Sequence, residues 1–156
     1  MEKVPNGEIQ VQTPAMKSRH HVIDNKGTTV VACAKQYLGC KYRAGGIGPS
    51  HFDCSGFTFF IYQQFGIELY HSSAEQYNQG SYIKSVHMLR PGDLVFWRGR
   101  DAHSPRVGHV GIVVEADEKT GHFKFIHSAT HGGVRFDDSE AEYYKTRYVG
   151  ARRVLE

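Results

Sequence analysis

The chain has 156 residues, of which 40% are hydrophobic and 22% are charged, and this length suits one compact domain. The apolar content excludes an intrinsically disordered chain, and the longest apolar run, residues 30–34, is far too short to cross a bilayer. The net charge of +3 comes from cationic residues scattered along the chain, which predicts no nucleic-acid partner.

The first half of the chain predicts a polar tail followed by helices. Residues 1–25 are polar, contain two prolines and show no sustained periodicity, so we interpret them as a tail or tether. An amphipathic pattern predicts a helix from residue 28 to about residue 38, ended by Gly39. After a glycine-rich loop over residues 42–49, an apolar helix is predicted over residues 54–65 and a short one over residues 73–79.

The second half of the chain predicts strands. Apolar patterns of strand type cover residues 93–97, 107–115, 122–128, 133–136 and 148–154. Helices that precede a run of strands indicate an α+β fold, with N-terminal helices packed on an antiparallel sheet of about five to six strands. We therefore divide the chain into a tail, residues 1–25, and a single domain, residues 26–156.

The three cysteines, Cys33, Cys40 and Cys54, contain no C-x-x-C pair, which argues against a zinc site and against a disulfide framework. We expect no metal and no cofactor. Leu38-Gly39-Cys40 resembles a lipoprotein processing box, but no basic and apolar leader precedes it and no signal peptide is visible.

Cys54 has the sequence surroundings of a reactive thiol. Asp53 suits the N-cap of the apolar helix, which places Cys54 in the first turn, where the helix dipole and free N–H groups favour an anion. We expect this position to lower the pKa of the thiol and to raise the fraction of reactive thiolate. The alternative is that Cys54 is a small buried hydrophobic residue.

Two histidines fall on neighbouring predicted strands. If residues 116–120 form the hairpin loop, with Glu115 opposite Gly121, then His109 faces His127 directly. Directly opposed residues have Cβ atoms about 5 Å apart, so two imidazoles can meet on one face of the sheet. A slip of one residue would send them to opposite faces, so the prediction depends on the register. The alternative is two unrelated structural histidines.

Cys54, His109 and His127 together form a set suited to nucleophilic catalysis. A nucleophilic cysteine needs a base that accepts its proton and a group that orients this base, and the two histidines can fill these roles. Such sets attack carbonyl carbons, so the predicted reaction is acyl transfer, most simply amide hydrolysis. The Cys54 N–H at the helix start is a candidate oxyanion donor, and the Tyr42 phenol is a candidate second donor.

The same residues lie within motifs that resemble, in order, those of the NlpC-type cysteine peptidases of the bacterial cell wall. The resemblance covers about residues 28–155, and its specificity comes from the order and spacing of the motifs rather than from any one of them. The motifs are Tyr37-Leu38-Gly39, Tyr42-Arg43-Ala44-Gly45-Gly46, Phe52-Asp53-Cys54-Ser55-Gly56-Phe57, Arg90-Pro91-Gly92-Asp93-Leu94-Val95-Phe96, Gly108-His109-Val110-Gly111-Ile112 and Phe125-Ile126-His127.

The resemblance implies a papain-like α+β fold and hydrolysis of amide bonds in peptidoglycan stem or cross-link peptides. It implies that Cys54 is the nucleophile, His109 the base and His127 the orienting residue. It also implies a location in the cell envelope, whether periplasmic, tethered to the outer membrane or secreted, and we expect a monomer. The candidate substrate-binding residues are Tyr42, Asp53, Ser55, Ser73, Trp97 and Gly108.

Three regions depart from the family pattern: Ala44, where an aromatic residue is frequent, residues 69–71, and the long loop over residues 98–107. They bear on the walls of the groove and therefore on bond specificity. Two other functions stay open. One is an amidase or acyltransferase that uses the same trio on a non-wall substrate, and the other is a non-catalytic wall-binding module, against which the intact trio argues.

Overall fold

The computed structural model describes residues 18–155, with side chains from residue 26 onward. Its helices are α1 (Ser18–Lys35), α2 (Cys54–Gln63), α3 (Ser73–Gln76) and α4 (Glu142–Lys145), and a 3₁₀ turn covers Val86–Met88. Its strands are β1 (Lys41–Tyr42), β2 (His51–Phe52), β3 (Ser81–Ile83), β4 (Leu94–Arg98), β5 (Val107–Ala116), β6 (Phe123–Ala129), β7 (Gly133–Asp138) and β8 (Tyr148–Arg153).

Six of the strands form one antiparallel sheet in the order β3-β8-β4-β5-β6-β7. The predicted α+β class and the predicted antiparallel sheet of five to six strands are therefore confirmed. The five strands predicted from apolar patterns are all present, and the sixth is β3, a short segment at the sheet edge that no pattern indicated. The remaining two strands, β1 and β2, pair with each other in a small parallel sheet.

Both faces of the sheet are covered, which explains the continuous apolar sequence of β4. Leu94 and Phe96 point into a core shared with α1 and α2, whereas Val95 and Trp97 point into a second core on the opposite face. Because successive side chains of a strand alternate between faces, a strand covered on both sides needs apolar residues at every position. All four of these side chains are buried.

The start of α2 is held by a capping carboxylate. Asp53 accepts hydrogen bonds from the N–H of Gly56 at 2.6 Å and from the N–H of Gly45 at 3.0 Å, so one side chain caps the helix and anchors the glycine-rich loop. Gly56 is required here because a Cβ at this position would collide with the carbonyl oxygen of Gly46. Local sequence thus places Cys54 as the first residue of α2.

The helices differ from their predicted bounds mainly at the N-terminus. α1 begins at Ser18 rather than near residue 28. The prediction placed the start too late because it relied on an apolar periodicity that begins only at Val30, and residues 18–29 carry no apolar stripe. The expected division of the chain at residue 25 falls inside α1, and residues 1–17 of the expected tail lie outside the described residues. Among residues 18–155, no helix combines the length and hydropathy that a bilayer crossing requires.

The pairing of β5 with β6 corrects the predicted hairpin register. Val113 pairs with Phe125, and a bulge follows between Val113 and Glu115, so the predicted direct opposition of His109 and His127 is wrong by two residues. A shift of two residues keeps each side chain on its predicted face, because the side-chain period of a strand is two. The two histidines are therefore diagonal rather than direct neighbours across the hairpin.

Candidate active site

Cys54 lies where the N-terminus of α2 meets β5. Its Sγ is 3.9 Å from the carbonyl oxygen of Gly108, the residue that precedes His109. Main-chain N–H groups of Ser55 and Val110 also lie close enough to interact with the sulfur. The helix start and the sheet strand thus bring the thiol beside the first of the two histidines.

The two imidazoles are in contact on one face of the sheet, as the sequence predicts despite the shifted register. His109 Nε2 is 2.7 Å from His127 Nδ1, and the rings meet edge to face with centroids 4.9 Å apart. Gly111 makes this possible, since a Cβ at that position would lie 3.2 Å from the Cβ of His127. The space beside Gly111 is therefore occupied by His127.

Asp137 extends the chain of polar contacts beyond His127. Its Oδ2 is 2.7 Å from His127 Nε2, and Arg135 approaches the same carboxylate with Nε at 3.0 Å from Oδ2 and Nη2 at 3.2 Å from Oδ1. Sequence reasoning missed this residue because it ended the predicted strand at residue 136. In the structure, Asp137 and Asp138 are the last two residues of β7.

A sequence signal for Asp137 did exist in the alternation of β7. Arg135 and Asp137 are two residues apart in a strand and therefore share a face. Arg135 pairs directly with His127, so Asp137 is the diagonal neighbour of that histidine. Extending the predicted strand by two residues would have placed a carboxylate beside the predicted orienting residue.

Burial favours the neutral forms of the Cys54 thiol and the His109 imidazole at pH 7. Burial, followed by the nearby Asp53 carboxylate, raises the pKa of the Cys54 thiol to about 11. Burial, followed by the neighbouring His127, lowers the pKa of His109 to about 3. The prediction that the helix start lowers the thiol pKa is therefore wrong, because desolvation outweighs the N–H groups that favour the thiolate.

His127 is enclosed by aromatic side chains. Tyr144 meets its ring edge to face at 5.4 Å between centroids, and Phe125 lies 4.7 Å away. This burial lowers the pKa of His127, although the hydrogen bond to Asp137 acts in the opposite direction. Burial likewise raises the pKa of Tyr144 to about 12, so its phenol stays protonated.

A cleft of about 520 Å³ opens in front of Cys54 and His109. Of the candidate substrate-binding residues, Tyr42, Trp97 and Gly108 line it. Residues of the wall that sequence reasoning did not single out include Arg98, Arg100, Arg135, Tyr143 and Tyr144.

The other three substrate-binding candidates have structural contacts in the described chain and lie away from the cleft lining. Asp53 caps α2 as described above. Ser55 is buried and donates its hydroxyl hydrogen bond to the carbonyl oxygen of His71 at 2.9 Å. Ser73 is the buried first residue of α3. Their roles in binding stay a prediction.

A family model described as the NlpC/P60 family matches residues 39–153. The chain belongs to the NlpC/P60 family. The match contains the Cys54, His109 and His127 motifs, and the resemblance seen in the sequence is thereby confirmed.

Curated relatives of this NlpC/P60 chain carry names of cell-wall hydrolases. The chain is 38% identical over 120 residues to the murein DD-endopeptidase MepS/murein LD-carboxypeptidase of Escherichia coli K12. This alignment covers 76% of this chain and 58% of the relative. The chain is also 37% identical over 125 residues to the probable endopeptidase p60 of Listeria welshimeri, covering 80% of this chain and 22% of that one. The chain thus spans little more than half of the first relative and under a quarter of the second.

Solved NlpC/P60 structures share the fold. An NlpC/P60 family protein from Bacillus cereus superposes with a TM-score of 0.74 at 30% identity, over 83% of this chain and 40% of that chain. The NlpC/p60 domain of the peptidoglycan hydrolase SagA gives a TM-score of 0.67 at 30% identity, over 82% of this chain and 98% of that domain. The second comparison shows that the described sheet and helices make up nearly one whole NlpC/p60 domain.

Proposed function

We propose that this chain is a cysteine endopeptidase that hydrolyses amide bonds in peptidoglycan stem or cross-link peptides, with Cys54 as nucleophile, His109 as base and His127 as orienting residue. The observation that carries the proposal is that His109 lines the same cleft as Cys54 while its Nε2 contacts Nδ1 of the buried His127 at 2.7 Å. The trio comes from one chain, so the proposal needs no partner copy.

The neutral groups favour general-base catalysis over a preformed ion pair. His109 accepts the thiol proton on Nδ1 as Cys54 Sγ attacks the carbonyl carbon of the scissile amide, which forms a tetrahedral intermediate. His109 then donates this proton to the leaving amine nitrogen, the C–N bond breaks and a thioester remains. Water attacks the thioester with His109 again as base, the C–S bond breaks, Cys54 Sγ takes the proton back from His109, and the acid product leaves.

Two hydrogen-bond donors lie near the position where the oxyanion would form. The N–H of Cys54 is at the start of α2, where helix N–H groups have no intrahelical acceptor. The phenol of Tyr42 lines the cleft, and burial raises its pKa, so the phenol keeps its proton. Both groups support acyl transfer at this site.

The charge of the cleft supports an acidic peptide as substrate. Arg98, Arg100 and Arg135 line the cleft, and the carboxylate of Asp137 is already engaged by Arg135 and His127. Stem peptides of peptidoglycan carry free carboxylates, which arginine binds with paired hydrogen bonds. The names of the relatives, murein endopeptidase and peptidoglycan hydrolase, support the same substrate and a place of action in the cell envelope.

The test is mass spectrometry of muropeptides released from purified sacculi by the wild type and by Cys54→Ser. We expect a mass change with the wild type that is lost in Cys54→Ser and retained in Cys40→Ser, a matched control outside the cleft. The fragments will separate cleavage within the stem from cleavage at the cross-link. Sacculi that stay unchanged while Cys54 reacts with iodoacetamide would contradict a wall peptidase and favour another amide or ester substrate.

A further inference from the structure

Four polar groups form a line that starts at His109 in the cleft, passes through the buried His127 and returns to the cleft wall at Asp137 and Arg135. His109 Nε2 contacts His127 Nδ1 at 2.7 Å, and His127 Nε2 contacts Asp137 Oδ2 at 2.7 Å. Arg135 closes the line by holding both oxygens of Asp137. The first contact alone fits two opposite arrangements of protons, since either histidine can donate to the other.

The carboxylate removes this ambiguity. An ionised carboxylate only accepts hydrogen bonds, so the nitrogen of His127 that faces Asp137 carries the proton. A neutral imidazole has one N–H, which leaves Nδ1 of His127 as an acceptor. His109 must then donate from Nε2, and its Nδ1 keeps the lone pair that the proposed base needs.

We infer that Asp137 is a positioning residue that fixes the tautomers of both His127 and His109, so that His109 presents a proton acceptor to Cys54. This inference rests on the proposed function for the role of His109, but not for the proton positions themselves. In the opposite arrangement His109 would carry its proton on Nδ1 and could not accept one from the thiol.

The surroundings of Asp137 suit a fixed acceptor. Arg135 binds it through two nitrogens, a geometry that restricts both distance and plane. Tyr144, Phe125 and Trp97 pack around His127, so its ring is held by contacts on several sides. Among the described residues, the charged side chains in contact with this pair of histidines are Asp137 and, behind it, Arg135.

The test compares Asp137→Asn with Asp138→Asn. The amide that Asp137→Asn introduces can donate to His127 Nε2 as well as accept from it, so it no longer dictates the tautomer. Asp138 is the next residue along β7 and contacts the exposed His122, so it is a matched control for the loss of a histidine-bound carboxylate from the same strand.

The first readout is the ring nitrogen of each histidine, measured by two-bond ¹H–¹⁵N correlation at pH 7 and assigned with single His→Gln variants. We expect wild type and Asp138→Asn to show Nε2–H tautomers at both His109 and His127, and Asp137→Asn to show mixed or Nδ1–H tautomers. Nδ1–H tautomers in the wild type, or unchanged nitrogens in Asp137→Asn, would overturn the inference whether or not the protein is active. The wild-type spectrum also keeps the inference testable should Asp137→Asn fail to fold.

The second readout is hydrolysis of a purified cross-linked muropeptide. Asp137→Asn should lower kcat about 10²- to 10³-fold with little change in KM, because the variant removes the orientation of the base while asparagine keeps the size of this cleft-lining side chain. Asp138→Asn should stay within about twofold of the wild type. Equal kcat in both variants would overturn the role of Asp137 in the reaction, whereas an inactive wild type would overturn the proposed function alone.

Discussion

Asp137 and Asp138 are consecutive residues of β7, and each contacts a histidine. The first histidine lies within β6, and the second is the residue just before β6. Asp137 lies 2.7 Å from His127, and Asp138 lies 2.8 Å from His122. Because neighbouring residues of a strand point to opposite faces, the first pair lies inside the molecule and the second lies in solvent. The side chains of His127 and Asp137 are 0% and 17% exposed, against 48% and 50% for His122 and Asp138.

Burial gives the same contact opposite consequences. At the exposed pair, the hydrogen bond that His122 donates to Asp138 raises the pKa of His122, as expected for an imidazolium beside a carboxylate. At the buried pair, desolvation outweighs Asp137 and lowers the pKa of His127. The exposed pair is therefore a solvent-screened salt bridge, whereas the buried pair holds a neutral ring in a defined orientation.

The largest expected effect distinguishes His109 and His127, the two histidines of the line, from the exposed His122. His109→Ala should reduce kcat/KM about 10⁴-fold, because the base itself is lost, and His127→Ala should reduce it about 10²- to 10³-fold, because only its orientation is lost. His122→Ala should stay within about twofold of the wild type. The measurement is hydrolysis of a cross-linked muropeptide by folded variants, and equal losses at His109 and His127 would contradict their assigned roles.

A second effect extends the burial argument to the thiol. Since burial raises the pKa of Cys54 to about 11, its thiolate fraction near pH 8 should be about 100-fold below that of an unperturbed cysteine. Iodoacetamide should therefore alkylate Cys54 more slowly than a free cysteine peptide at pH 8, as followed by mass spectrometry. Faster alkylation of Cys54 would instead indicate an ion pair with His109 before substrate binds.

A third effect is a loss of stability in acid caused by the buried histidines. The folded-state pKa of His109 is about 3, and that of His127 is also below its unfolded value, so the unfolded chain binds more protons as the pH falls below about 6.5. The free energy of unfolding should therefore fall between pH 6.5 and pH 4, by at most about 1.4 kcal/mol per pH unit for each histidine.

Urea unfolding of the wild type and of His109→Gln at pH 7, 5.5 and 4 measures this loss. The variant lacks one buried imidazole, so its stability should depend less steeply on pH over this range. An identical dependence in the two proteins would show that His109 binds its proton as easily when folded as when unfolded.

The smallest effect is expected at the exposed pair. The raised pKa of His122 contributes stability below its unfolded pKa that is lost as the pH rises through its folded pKa, the reverse of the buried histidines. Because solvent screens this pair, Asp138→Asn should leave the urea midpoint at pH 6 within experimental error. A clear drop in that midpoint would show that the exposed pair also stabilises the fold measurably. That result would contradict the distinction drawn between the exposed and the buried pair.

Most of the fold and the centre of the site could be predicted from short stretches of sequence. The five apolar strands, the cap at Asp53 and the position of Cys54 at a helix start follow from periodicity and capping, which act within a few residues. The meeting of His109 and His127 also followed, since strand alternation preserved their shared face although the register was wrong by two.

Other features depended on contacts between distant parts of the chain. The bulge after Val113 and the edge strand β3 arise from pairing partners that no local pattern reveals. The continuation of β7 to Asp137 and Asp138 is likewise set by its pairing with β6. The start of α1 at Ser18 could not be predicted, because no apolar stripe in the sequence marks it.

The sequence by itself determined which side chains we propose for the chemistry, because local patterns set the element type and the strand face of Cys54, His109 and His127. Only the tertiary structure decided their protonation and placed Asp137 against His127. Partial burial of Cys54 and His109 and full burial of His127 follow from the packing of α2 and Tyr144 on opposite faces of the sheet. Desolvation is a property of that packing, so it reversed the thiol pKa expected from the helix start, whereas the pairing of β7 with β6 brought Asp137 to His127.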